Sequence, residues 1–121
     1  MSFTFEPGVR LRSRGDFVAV QDRGRRVTSR YLTLLSLPTV RGVDRLGIIA
    51  SRRLGGAVVR NRAKRRLRDI FRRSQRPAGP PNSPALDFVV IPRRELVTAP
   101  FSIIQSEFRR AIDRSRTVTP S

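Results

Sequence analysis

The chain has 121 residues, 26 of them basic and nine acidic, and carries a formal net charge of +17 at neutral pH with no His and no Cys. That composition excludes a disulfide framework, thiolate or imidazole metal sites, and every catalytic triad built on His or Cys. Any catalysis by the protein itself would fall on nine carboxylates, one Lys and one Tyr. The length suits one domain, since a chain of this size buries about two thirds of its unfolded surface around a single core.

In chain order, a short first helix is predicted between Ser13 and Gly24. Ser13 or Asp16 can cap it, Phe17, Val18 and Val20 are its apolar residues, and Gly24 stops it. Val27 to Leu37 is rich in β-branched and apolar residues and reads as strand, whole or in two short pieces broken near Ser29. After a turn at Thr39–Asp44, Arg45 to Ser51 forms the next strand, and proximity in sequence pairs the two as an antiparallel hairpin.

Gly55-Gly56 breaks that strand and opens a helix. Val59, Ala63, Leu67, Ile70 and Phe71 fall on an arc of about 120° at ~100° per residue, a single buried stripe. Around that stripe the helix is basic: Arg60, Lys64 and Arg68 line one flank, Arg62, Arg66 and Arg73 the other, and Arg65 and Arg72 lie opposite the core. Residues 75–85 hold four of the nine prolines and read as a mobile connection. Leu86 to Pro92 is nearly continuously apolar, as an interior strand would be. Thr98 can cap and Pro100 can open a final helix striped by Ile104, Phe108, Ala111 and Ile112, with a frayed tail from Arg114. The ordered core is expected at about 9–114 with frayed ends, and helices packed on one small sheet make an α+β sandwich.

Charge narrows the function. Twenty-five of the basic residues are Arg, a ratio that a GC-rich genome would also produce, but codon bias leaves the excess over acids unexplained. Between Arg52 and Arg76 eleven basic residues face one acid, and like charges at i,i+4 cost a few tenths of a kcal/mol per pair. Such a helix points to phosphates as partners. No apolar run approaches the ~20 residues of a spanning helix, and residues 1–7 lack a secretory pattern. The expectation is a soluble, cytoplasmic nucleic-acid binder with no membrane partner. Charge alone fits a ribosomal or chaperone-like RNA-binding protein, or an architectural DNA-binding protein, equally well.

Arg60-Asn61-Arg62-Ala63-Lys64-Arg65-Arg66-Leu67-Arg68, preceded by Gly47-Ile-Ile-Ala-Ser51-Arg-Arg-Leu-Gly-Gly, resembles the protein component of bacterial ribonuclease P. The likeness extends from Arg12–Phe17 to the last helix. It implies an α-β-β-β-α-β-α order with a four-stranded sheet and a left-handed βαβ crossover, a fold shared with a ribosomal-protein domain; general rules would favour the right-handed form. It further implies an RNA partner that carries catalysis and binds Mg²⁺, with no metal, cofactor or catalytic residue on the protein. Ribonuclease P RNA and precursor tRNA are the implied partners, with no obligate protein partner. Arg52, Arg53, Arg60, Asn61, Arg62, Lys64, Arg65 and Arg68 are assigned to RNA by this resemblance, although Asn61 could instead cap the helix.

The family also receives the single-stranded 5′ leader of precursor tRNA in a cleft between the first helix and the sheet, where stacking platforms beside basic groups suit a single strand. Arg12, Phe17, Gln21, Tyr31, Leu35 and Ser51 are the corresponding residues. Gln21 and Leu35 stand where aromatics are expected, and alternation places Tyr31 on Leu35's face. Phe17 reads equally well as core, and Phe88, Phe101 and Phe108 are assigned to core.

Overall fold

The computed structural model describes residues 10–11, 13–39, 43–74 and 85–116. The proline-rich connection, the chain beyond 116 and Arg12 lie outside the described residues. Helix α1 (Arg14–Arg23) starts at Ser13, whose Oγ accepts a hydrogen bond from the Asp16 N–H at 3.0 Å, and ends where the Gly24 N–H donates to the Val20 carbonyl at 2.8 Å.

The hairpin forms within the first strand region. Strands β1 (Arg25–Thr28) and β2 (Leu32–Thr39) pair antiparallel, joined through a turn in which the Ser29 N–H donates to the Leu32 carbonyl at 2.9 Å. Ser29 Oγ also accepts from the N–H groups of Tyr31 and Leu32, a local hydroxyl turn that the break near Ser29 anticipates. Strand β3 (Arg45–Ile48) is shorter than expected and does not pair with β2. Strand β4 (Ala85–Pro92) inserts between them, antiparallel to β2 and parallel to β3, giving the order β1-β2-β4-β3. The expected β2–β3 hairpin fails because β4 can be covered on both faces and takes the central place, whereas the short β3 suits an edge. Leu86, Phe88 and Val90 of β4 face one layer, and Val89 and Ile91 face the other.

The larger layer holds α2 (Ala57–Ser74), a short α3 (Arg94–Thr98) and α4 (Phe101–Arg116). Ala63, Leu67, Ile70 and Phe71 of α2 are buried there with Ile104, Phe108, Ala111 and Ile112 of α4, so the α4 stripe holds in full and the α2 stripe holds except at its first member, Val59, which is only half-buried. Phe71 meets Phe88 edge-on, with centroids 5.9 Å apart. Phe88 and Phe108 are fully buried and Phe101 packs half-buried against the same core. Thr98 does not cap α4; it ends α3, and the Pro100 carbonyl accepts the first bonds of α4 from Ile103 and Ile104. Nor does the chain fray at Arg114. Helix α4 runs to Arg116, which pairs with Asp44 and lies 5.7 Å from the Phe88 ring centroid. Asp44 in turn accepts the Leu86 N–H at 2.9 Å, so one carboxylate joins the β3 entry, the β4 start and the end of α4.

On the opposite face α1 covers a smaller cluster of Leu11, Val20, Leu35 and Val89. Its first turn is fixed electrostatically. Buried Arg45 donates through Nε and Nη2 to both oxygens of Asp87, at 2.8 and 2.7 Å, and through Nη1 to Asp16 of α1 at 3.4 Å. Hydrogen bonding to Asp87 raises the Arg45 pKa against the opposing effect of burial, so the guanidinium stays charged inside the fold.

Candidate nucleic-acid interface

A 3-10 turn at Arg52–Leu54 carries the chain from β3 into α2. Leu54 is buried and anchors the turn, which leaves Arg52 and Arg53 exposed. Gly55 then turns the chain at φ +145°, a conformation that side-chain-bearing residues rarely adopt, and a Cβ there would come within 3.0 Å of the Val59 side chain. This reversal sets the turn beside the first half of α2. No acid occupies the first turn of α2, so its positive dipole end adds to the field of Arg52, Arg53 and Arg60 and favours anions there.

Along α2, Arg60, Lys64 and Arg68 are half-buried, while Asn61, Arg62 and Arg65 are exposed. Of the eight residues assigned to RNA, Arg52 and Arg53 lie on the turn, Arg60, Lys64 and Arg68 on one flank of α2, Asn61 and Arg65 toward its outer side, and Arg62 on the other flank. Asn61 sits in the second turn of α2, too far in to cap it. The helix's one acid, Asp69, is engaged by Arg72 at 2.6 Å and Arg73 at 3.4 Å, toward the C-terminal end and away from this surface.

The sequence reading missed Arg10. Residue 10 bridges in parallel to Leu46, and the Leu11 N–H donates to the Leu46 carbonyl at 3.1 Å, so this segment covers the outer edge of β3. Burial, and secondarily the nearby Arg10 charge, lowers the pKa of Arg68. Two cations gathered from distant parts of the chain make a strong anion attractor. A single bridge residue has no periodicity to betray it, and only the +2 spacing of Arg10 and Arg12 hints at a strand.

The leader-cleft residues divide. Phe17 lies over β3: a Cβ at Gly47 would come within 2.5 Å of its ring, so Gly47 is what lets the ring seat on the sheet. Phe17 is half-buried and packs with Leu37, Ile49 and Ile91 around the α1 cluster. Leu35 is in that cluster at 2% exposure, floor rather than contact surface. Gln21 and Ser51 are exposed. Tyr31 is on the other side. It precedes β2, so strand alternation does not govern it, and it packs against the α2–α4 core with Arg30 5.8 Å from its ring centroid. Ile49 and Ile91, which flank Phe17's cluster half-buried, were not singled out in the sequence because apolar strand residues carry no chemical signature.

Asp16, Asp44, Asp69 and Asp87 are each engaged by arginine, and no group of three potential ligands occurs among the described residues.

The profile of the Ribonuclease P family matches residues 5–116. The chain belongs to the ribonuclease P protein family. It is similar to the ribonuclease P protein component of Acidothermus cellulolyticus, 37% identical over 116 residues, spanning 87% of this chain and 86% of the relative. The component of Thermotoga maritima is 37% identical over 98 residues, 79% of each chain. Solved structures agree. The RNase P protein of Staphylococcus aureus superimposes with a TM-score of 0.77 at 26% identity, covering 89% of this chain and 95% of that one. The Thermotoga maritima protein superimposes with a TM-score of 0.74 at 30% identity, covering 87% and 96%. The α+β arrangement of four strands and packed helices is thus the ribonuclease P protein fold, and membership makes the chain a protein subunit of that tRNA 5′-processing enzyme, associated with its RNA.

Proposed function

We propose that this subunit binds ribonuclease P RNA through the Arg52–Arg53 turn and the Arg60–Arg68 stretch of α2, and the 5′ leader of precursor tRNA along α1 and the sheet beside Phe17. The observation that carries this reading is the surface at the start of α2, where cations and the helix dipole add and no acid intervenes. The protein's role is electrostatic, bringing two polyanions together and tightening substrate binding. Hydrolysis and its Mg²⁺ belong to the RNA, in keeping with a chain that has no His or Cys and whose interior carboxylates are engaged by arginine. Phe17, Gln21 and Ser51 are the leader-facing residues of the α1 side, and Arg12 joins them by resemblance. Leu35 supports Phe17 from beneath, and Tyr31 has no part in the cleft. As a partner of ribonuclease P RNA and precursor tRNA the subunit is placed with them in the cytoplasm; no helix among the described residues is long and apolar enough to cross a membrane.

Reconstitution tests this directly. Added to its cognate ribonuclease P RNA at limiting Mg²⁺, the protein should raise 5′ cleavage of precursor tRNA, while protein alone leaves the substrate intact. Absence of enhancement, or cleavage by protein alone, would overturn the proposal.

A further inference from the structure

The two basic flanks of α2 face different places. Arg60, Lys64 and Arg68 lie within about 80° of one another at ~100° per residue, and the nearness of Arg68 to Arg10, which sits on the outer edge of β3, turns this flank toward that edge. Arg62, Arg66 and Arg73 lie within about 40° of one another on the other flank. That flank faces α4, which packs alongside α2 over β1 and β2.

Helix α4 presents a basic flank in return. Arg116 reaches across to Asp44 and Phe88, at the β3–β4 end of the sheet, which turns its side of α4 toward α2. Arg109, seven residues earlier, projects within about 20° of the same direction. Both helices run antiparallel to β4: α2 leads from the end of β3 back to the start of β4, and α4 ends beside Asp44 and Leu86. The helices are therefore parallel, with Arg109 near the middle of α4 and Arg66 near the middle of α2. Arg66 is half-buried and Arg62, Arg73 and Arg109 are exposed. Asp69, already shared between Arg72 and Arg73, is the acid nearest this groove on α2.

We propose that the groove between α2 and α4, lined by Arg62, Arg66, Arg73 and Arg109, is a second phosphate track that holds a further strand of the same RNA, separate from the β3-side flank. This deepens the RNA-binding role above and rests on it. Its continuity with the α2 surface and its charge select the occupant, and α2 then lies as a ridge between two strands with Arg65 and Arg72 along its crest.

The test is the salt dependence of binding between the full chain and ribonuclease P RNA. Replacing Arg66, Arg73 and Arg109 together by Ala should flatten the slope of log K against log salt by roughly 2–3 units, at about 0.7–0.9 per lost phosphate contact. Lysine at the same three positions should restore most of the slope. Lys64→Ala with Arg68→Ala should flatten it independently, so that the two losses add. If the flank pair lowers the slope and the groove triple leaves it unchanged, the groove is not a track, while the RNA-binding role stands. If neither set matters, the α2 assignment itself fails. Should the triple variant melt at a lower temperature than the parent, Arg109→Ala alone must still lower the slope by about one contact, and an unchanged slope would overturn the proposal equally.

Discussion

Arginine in this molecule does two opposite things. Within the fold it is a neutralised cross-link: Arg45 joins β3, β4 and α1 through Asp87 and Asp16, and Arg116 joins α4 to the β3 entry through Asp44. Along the first half of α2 the same side chain stands among its own kind, with no acid in that half of the helix. A planar guanidinium with five donors serves both ends, and what differs is whether the protein supplies the carboxylate or leaves the anion to a partner. Because the two kinds occupy different regions, stability and binding should respond separately to substitutions in each.

The interior pair gives the largest expected effect. Replacing Asp87 by Ala leaves the Arg45 guanidinium buried with only Asp16 at 3.4 Å, and breaking a buried pair on one side costs about 3–5 kcal/mol. Urea unfolding would measure the loss. A loss of under about 1 kcal/mol would show the pair behaving like an exposed one, which the burial of Arg45 argues against.

Much of this contrast is legible in the sequence. The stripe at Val59, Ala63, Leu67, Ile70 and Phe71 has helical period and its basic flanks follow from it, so the helix and the faces that carry its charge could be read from the sequence. The interior character of β4 was equally plain, and the helix cap was narrowed to Ser13 or Asp16, of which the structure uses Ser13. Strand pairing was not, because nearness in sequence argues for a β2–β3 hairpin and only the sheet as a whole shows β4 winning the central place. The cross-links were illegible for a related reason: Arg45 and Asp87 are 42 positions apart, and Asp44 and Arg116 are 72 apart. Tyr31 went astray on a strand rule applied one residue before the strand begins. Short-range periodicity encodes faces, whereas partners across the fold carry no local signal.

The second prediction asks whether the anion missing from α2 can be supplied from outside. Sulfate that binds the folded surface and ignores the unfolded chain should stabilise by about 2.7 kcal/mol at a hundredfold excess over its dissociation constant. Thermal melts of the parent at low ionic strength should therefore shift upward with sodium sulfate more than with sodium chloride at matched ionic strength. An Arg60→Ala/Lys64→Ala/Arg68→Ala variant should lose most of that difference. If the variant keeps the full sulfate shift, the stabilising anion sits elsewhere and the α2 surface is not the sink for it.

The smallest effect is the most diagnostic, because it has opposite signs on stability and on binding. Arg62 is exposed, near the N-terminal end of α2, with Arg65 and Arg66 three and four residues on. Arg62→Glu removes two repulsions and replaces them with attractions, each pair counting about 0.2–0.5 kcal/mol, and places a negative charge toward the positive end of the helix dipole. The fold should gain roughly 1–2 kcal/mol at low salt by urea unfolding, and the gain should fade as salt screens it. Affinity for ribonuclease P RNA should fall in the same variant, since a phosphate contact becomes a repulsion. A surface selected for folding alone could not respond so: losing a cation would then weaken both properties or neither. If Arg62→Glu destabilises the free protein at low salt, the like charges of α2 are not in mutual conflict, and the inference that this helix awaits an external polyanion loses its physical basis.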